Sequence, residues 1–212
     1  TALSVSVLAG AAALLSGDGW QGTCTALLGS TACNLLRRGH VTVRVEGRTA
    51  HVYLPKAEPP RRDGRPAILV LHGSYASPES MFHVGFEPLA DTKGFMVVYP
   101  EMAEPRSASW GYSKDVSYLA ALVSRLREDD FKLDQSRVFV CGHSAGGTMS
   151  LFLQNAVDLF DAAAAVEAGV GHLDEWSMEH RGRRTMLVWN HADPVLAAYG
   201  GEELYRQTIA ML

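Results

Sequence analysis

Apolar and polar positions recur along this chain in two different periods, and the changes of period mark its elements. Val41, Val43 and Val45 fall at every second position, Gly47 turns the chain, and Ala50, Val52 and Leu54 resume the alternation. A period of two buries one face of a strand, so the pattern predicts an antiparallel hairpin. Pro59-Pro60-Arg61-Arg62-Asp63-Gly64 reads as a loop. Ala67 to Leu71 is apolar throughout, as expected of a central parallel strand covered on both faces. Met81, Phe86, Leu89 and Ala90 have helical spacing within a segment from Pro78 to Lys93 that stops at Gly94. Phe95 to Tyr99 is a further apolar strand closed by Pro100. Asp115 to Asp129 is amphipathic, with Val116, Leu119, Ala120, Val123 and Leu126 on one face. Val138 to Cys141 predicts a strand and Ala145 to Ala156 the helix after it. Ala162 to Glu167 and Thr185 to Trp189 predict two more strands, and Gly200 to Leu212 a last helix.

A hairpin followed by repeated strand–helix units predicts an α/β fold, a mostly parallel sheet with helices on both faces. No repeat or internal boundary follows residue 40, so residues 40–212 form one domain and 1–39 an extension before it. With 212 residues, 47% apolar and 20% charged, the chain can bury a sizeable core. A formal charge of −4 argues against a nucleic-acid partner, which would want a basic face. Arg37, Arg38, Arg44, Arg48, Arg61, Arg62 and Arg65 are spread over the hairpin and its linker and read as a solvated surface. Thr1 to Ser16 is small and apolar, too short to span a bilayer, and resembles the core of a secretory signal, although no methionine or basic residues precede it. The expectation is a secreted protein without stable membrane insertion. Cys24 and Cys33 could then close a short loop by a disulfide, whereas Cys141, ending an apolar strand, is expected to be an inert buried thiol.

The chemistry centres on Gly142-His143-Ser144-Ala145-Gly146, between an apolar strand and a helix. A serine on a tight strand-to-helix turn stands clear of the sheet as a nucleophile, and the turn leaves no room for side chains two residues to either side. The helix N-terminus points free N–H groups at the place where negative charge develops. His143 adjoins Ser144, but neighbouring side chains on a sharp turn point apart, so it is expected to pack rather than act as base. The loop Leu71-His72-Gly73-Ser74 follows an earlier strand. Backbone N–H groups of Ser74 and Ala145 are the candidate oxyanion donors, with His72 ordering the loop. Asp193, in Trp189-Asn190-His191-Ala192-Asp193-Pro194, leaves a strand end and is the candidate triad acid; the alternative is an aspartate that only caps a turn. His191 as base would break the chain order of nucleophile, acid, histidine.

Together with Asp115-Val116, Leu133-Asp134-Gln135-Ser136-Arg137-Val138, Gly-His-Ser-Ala-Gly-Gly-Thr-Met-Ser and Asp158-Leu159-Phe160-Asp161-Ala162-Ala163, these segments resemble the polyhydroxybutyrate depolymerase and feruloyl esterase family of α/β-hydrolases over roughly residues 40 to 205. The resemblance implies the α/β-hydrolase fold and cleavage of esters, in a polyester or on acylated polysaccharide, outside the cell. It carries over Ser144 as nucleophile, Asp193 as acid, and the backbones of Ser74 and Ala145 as oxyanion donors. Trp110 and Tyr112 fall where the family places aromatic residues near the cleft. It implies no cofactor, and no metal-ligand spacing stands out.

The chain departs from the pattern after the acid: no histidine follows Asp193 before Leu212. Without an imidazole the serine hydroxyl is a poor nucleophile at neutral pH. Three explanations stay open. The sequence is a fragment lacking the last strand and helix; His172 or His180 serves in an altered arrangement; or the protein binds without catalysing. A serine peptidase of the prolyl oligopeptidase type is a rival on the same fold.

Overall fold

A computed structural model describes residues 39–57, 64–128, 131–170 and 184–211. The signal-like segment, Cys24, Cys33, His172 and His180 lie outside them.

The described residues form a seven-stranded sheet in the order β1-β2-β4-β3-β5-β6-β7. Strands β1 (His40–Val45) and β2 (Arg48–Tyr53) are the expected antiparallel hairpin, and β2 runs antiparallel to β4 (Met96–Pro100). From β4 onward every pairing is parallel, through β3 (Arg65–Leu71), β5 (Leu133–His143), β6 (Ala162–Val166) and β7 (Arg184–Val188). The core divides over the two faces of this sheet. On one, Leu69, Leu71, Val98 and Val140 meet helices α2 (Lys114–Leu126) and α3 (Ala145–Ala156). On the other, Val70, Val97, Tyr99 and Cys141 meet Met81, Phe82, Phe86 and Ala90, from a 3₁₀ turn (Pro78–Met81) and helix α1 (Phe86–Lys93). Helices thus cover both faces, as the alternating pattern requires.

Three boundaries depart from expectation. The segment expected as one helix from Pro78 to Lys93 is split, because Gly85 adopts φ 89, a left-handed conformation that ends one turn and starts the next. Strand β5 begins at Leu133 rather than Val138, since Asp134 accepts from the Ser136 and Arg137 side chains and carries the chain into the sheet early. The loop after β7 contains a short helix, α4 (Pro194–Ala198), ahead of α5 (Gly201–Met211). Along α2 the buried stripe is Tyr118, Leu119, Leu122, Val123 and Leu126, with Val116 and Ala120 only half-buried.

Chain order reverses at β3: β4 lies on one side of it and β5 on the other. At such a switch point the two connections leave in opposite directions and open a crevice at the carboxyl ends of the strands. Those ends carry Leu71-His72-Gly73-Ser74 and His143-Ser144.

Candidate active site

Ser144 sits at the start of α3 with φ 54 and ψ −123, a conformation that L-residues rarely adopt. Such backbone costs about 1–3 kcal/mol and persists only when its surroundings hold it. Here the Ser144 N–H donates to Val166 O at 2.9 Å, while Thr148 N–H donates to Ser144 O at 3.0 Å. The residue is pinned from the neighbouring strand on one side and the following helix on the other.

The glycines around it are required by distance. A Cβ on Gly142 would lie 2.3 Å from the carbonyl carbon and oxygen of Gly146. A Cβ on Gly146 would lie 2.3 Å from Leu71 O and 2.6 Å from His72 O, and one on Gly147 would be 2.6 Å from the Ala168 methyl. The first clash keeps the turn tight; the others let α3 press against the ends of β3 and β6.

The loop after β3 reaches the serine: a Cβ on Gly73 would stand 3.4 Å from both Ser144 Cβ and His143 Nδ1. Ala145 is the first residue of α3, so its N–H has no intrahelical acceptor. His72 is buried and donates from Nδ1 to Gly73 O at 2.9 Å, ordering the loop as expected. Burial holds its imidazole below the usual range.

A cleft of about 690 Å³ opens beside these groups. Ser74, Ser80, His143 and Ser144 are its polar lining; Met81, Val84, Phe86, Val166 and Met186 make most of its apolar wall. Cys141 also borders it, 6% exposed, and burial pushes its thiol up to about 12. A thiol so shifted is not a nucleophile at neutral pH.

Trp110 and Tyr112 are not in this cleft. Trp110 is 2% exposed and donates from Nε1 to His72 O at 2.9 Å, and the Tyr112 ring packs on Phe152 at 4.7 Å. Trp110 packs against His72 and Tyr112 against α3. His143 also differs from expectation. Rather than packing inside, it is half-exposed, with Nε2 3.0 Å from Glu167 Oε2.

Asp193 leaves the same sheet edge. Register runs His143↔Val166↔Val188 across β5, β6 and β7, so Ser144 and the loop after β7 start level with one another, two strands apart. Two strand spacings are about 10 Å. Asp193 is half-buried and caps α4, its Oδ1 accepting from Val195 and Leu196 N–H at 2.8 Å. Capping and triad roles are compatible, because the cap uses one oxygen.

Among the described residues no histidine is hydrogen-bonded to Ser144 or Asp193. His40, His51, His143 and His191 each meet a glutamate: Glu87, Glu79, Glu167 and Glu202. His191 is exposed, 3.1 Å from Glu202 and edge-on to Tyr205. Among the same residues no helix is long and apolar enough to cross a membrane, and no group of three or more His, Cys, Asp or Glu could hold a metal ion.

Residues 108–193 match the prolyl oligopeptidase family. The chain is 31% identical over 175 residues to a putative esterase of Nocardia uniformis subsp. tsuyamanensis, covering 77% of this chain and 48% of that protein. It is 33% identical over 104 residues to a bifunctional acetylxylan esterase/xylanase of Neocallimastix patriciarum, covering 48% of this chain and 15% of that protein. The chain thus spans about half or less of these relatives. Among solved structures, an acetyl xylan esterase from Aspergillus awamori superposes with TM-score 0.54 at 18% identity, covering 61% of this chain and 52% of that one. An S-formylglutathione hydrolase from Agrobacterium tumefaciens superposes with TM-score 0.51 at 21% identity, covering 63% and 60%. Topology and superposition agree, and the chain is an α/β-hydrolase-fold protein similar in sequence to esterases.

Proposed function

We propose that this chain carries the nucleophile, the oxyanion donors and the acid of a serine carboxylic ester hydrolase. The observation that carries the reading is the strained, doubly pinned Ser144 at the switch point, lining one cleft with Gly73 and Ser74. In this reading Ser144 Oγ attacks the ester carbonyl and its proton passes to an imidazole. Backbone N–H groups of Ser74 and Ala145 donate to the oxyanion, and removing one such donor typically costs about 3 kcal/mol of transition-state stabilisation. Collapse of the tetrahedral intermediate expels the alcohol, which takes the proton back from the imidazole. Water, deprotonated by the same imidazole, then attacks the acyl-enzyme and releases the acid and the free serine. Asp193 accepts the other imidazole N–H on Oδ2, the oxygen that the α4 cap leaves open. We assign the imidazole to a residue outside those described.

The substrate class follows from the relatives together with the cleft. One relative is a bifunctional acetylxylan esterase/xylanase and the other is named as a putative esterase. The cleft is wide, with an apolar wall, and Ser74, Ser80, His143 and Ser144 are its polar lining. We therefore assign an acyl group on a polysaccharide, outside the cell, ahead of a polyester. The prolyl oligopeptidase match over 108–193 favours a second reading, cleavage of a peptide bond by the same serine. Turnover of p-nitrophenyl acetate and of a peptide p-nitroanilide by the full-length protein separates the two. The ester reading expects release from the acetate alone; release from the anilide at a comparable kcat/KM overturns it in favour of the peptidase.

A further inference from the structure

The Gly73-Ser74 loop is held in place from outside the site. Tyr75 has φ 58, and its N–H donates to Ser107 O at 2.8 Å. Ser74 Oγ donates to Ala108 O at 2.5 Å, and Trp110 Nε1 donates to His72 O at 2.9 Å. Three loop residues, His72, Ser74 and Tyr75, are thus tied to one stretch, Ser107 to Trp110, in the connection between β4 and α2. Two of the three groups it offers, Ser107 O and Ala108 O, are backbone, so the stretch must itself be fixed if it is to fix anything.

Asp115 fixes it. This carboxylate is 1% exposed at the start of α2. Its Oδ1 accepts from Ala103 N–H at 2.8 Å and its Oδ2 from Gly111 N–H at 2.6 Å, gripping both ends of the connection at once. The Arg48 guanidinium, from β2, pairs with Oδ1, donates to Lys114 O at 2.7 Å and lies over the Tyr118 ring at 3.8 Å. A buried carboxylate without that cation would be expensive to hold.

We infer that Asp115, backed by Arg48, is a positioning residue for the oxyanion donors, acting on the Ser74 amide through the Ala103–Gly111 connection and Trp110. The inference rests on the esterase reading of the same site. Its physical basis is leverage: between Ala103 and Trp110 the connection exposes Glu104 to Arg106, Ala108 and Ser109, and a donor displaced by about 1 Å can cost on the order of 10²-fold in rate. Oxyanion donation strengthens only in the transition state, so the loss falls on kcat rather than KM.

Asp115→Asn tests this in the full-length protein. Asn keeps the shape and one acceptor oxygen for Arg48 and Ala103, but presents an NH₂ group to the Gly111 N–H. Expected with p-nitrophenyl acetate is a fall in kcat of about tenfold to hundredfold, with KM within about twofold. Trp110→Phe, which keeps an aromatic ring but removes the pyrrole part of the indole and with it the bond to His72 O, should lower kcat in the same direction by about tenfold. It serves if Asp115→Asn does not fold. A Val123→Ala variant, remote from the connection on α2, gives the rate expected when stability falls for other reasons. Unchanged kcat in both folded site variants, or a fall no larger than that of the Val123 control at equal loss of Tm, overturns the inference. Undiminished turnover in Ser144→Ala overturns the esterase reading itself, and this inference with it.

Discussion

Ser144→Ala is expected to lower ester hydrolysis by about 10⁶-fold while the protein stays folded. The size follows from what the side chain does and does not do. Its backbone is held by Val166 O and Thr148 N–H, bonds that alanine retains. Its Oγ carries none of the hydrogen bonds that hold the fold among the described residues, so removing it leaves the elements in register. In the proposed reaction, however, the hydroxyl oxygen forms the bond to the acyl carbon, and no neighbouring group substitutes. Cys141 borders the same cleft, but its thiol is buried and held protonated. Initial rates with p-nitrophenyl acetate, alongside thermal unfolding of both proteins, check the prediction; a residual rate above about 1% of wild type would contradict it.

The second large effect separates two jobs done by one residue. Asp193→Asn should cut kcat by about 10⁴-fold, because an amide cannot hold the imidazole in the tautomer that accepts the serine proton. Asp193 is also the cap of α4, through Oδ1. Asparagine caps a helix about as well as aspartate, whereas alanine in this position costs about 1 kcal/mol. Tm should therefore stay near wild type in Asp193→Asn and fall in Asp193→Ala, while both lose activity. If Asp193 were only a cap, Asn would keep its rate and Ala would lose stability alone. Rate and Tm of the pair, measured together, decide between them.

Much of this site was legible in the residues because its parts are steric. Gly142 and Gly146 were expected to be glycine because side chains there would collide with the turn, and the distances of 2.3 Å are that collision. Strand-to-helix placement of Ser144 followed from the change of period on either side of it. The hairpin of β1 and β2 was equally plain, since a period of two has one reading when a glycine turn divides it. What escaped was set by contacts distant in sequence. Trp110 reads as a cleft aromatic until its indole is seen bonded to His72 O, 38 residues earlier. Asp115 reads as the opening residue of a helix, and its grip on Ala103 and Gly111 is visible only once β2 brings Arg48 to it. Glu167 gave no signal beyond its place at the end of an expected strand, yet it pairs with His143 beside the serine. Gly85 could have been noticed: a glycine inside a helical period is a reason to expect a break.

In the proposed reaction the composition of the cleft bears on which substrates could be told apart. An apolar wall of Met81, Val84, Phe86 and Met186 discriminates weakly between acyl chains that differ by one methylene, by about 1–3 kcal/mol. Hydrogen bonding near Ser74 and His143 is the part of the surface able to reject a wrong alcohol strongly.

The most direct test of the central claim is covalent. Incubated with a fluorophosphonate at neutral pH, the full-length protein should take up one equivalent, and mass mapping of its peptides should put the adduct on Ser144. Phosphonylation at another residue, or none in protein verified as folded and full-length, would contradict the assignment of an activated serine to this turn.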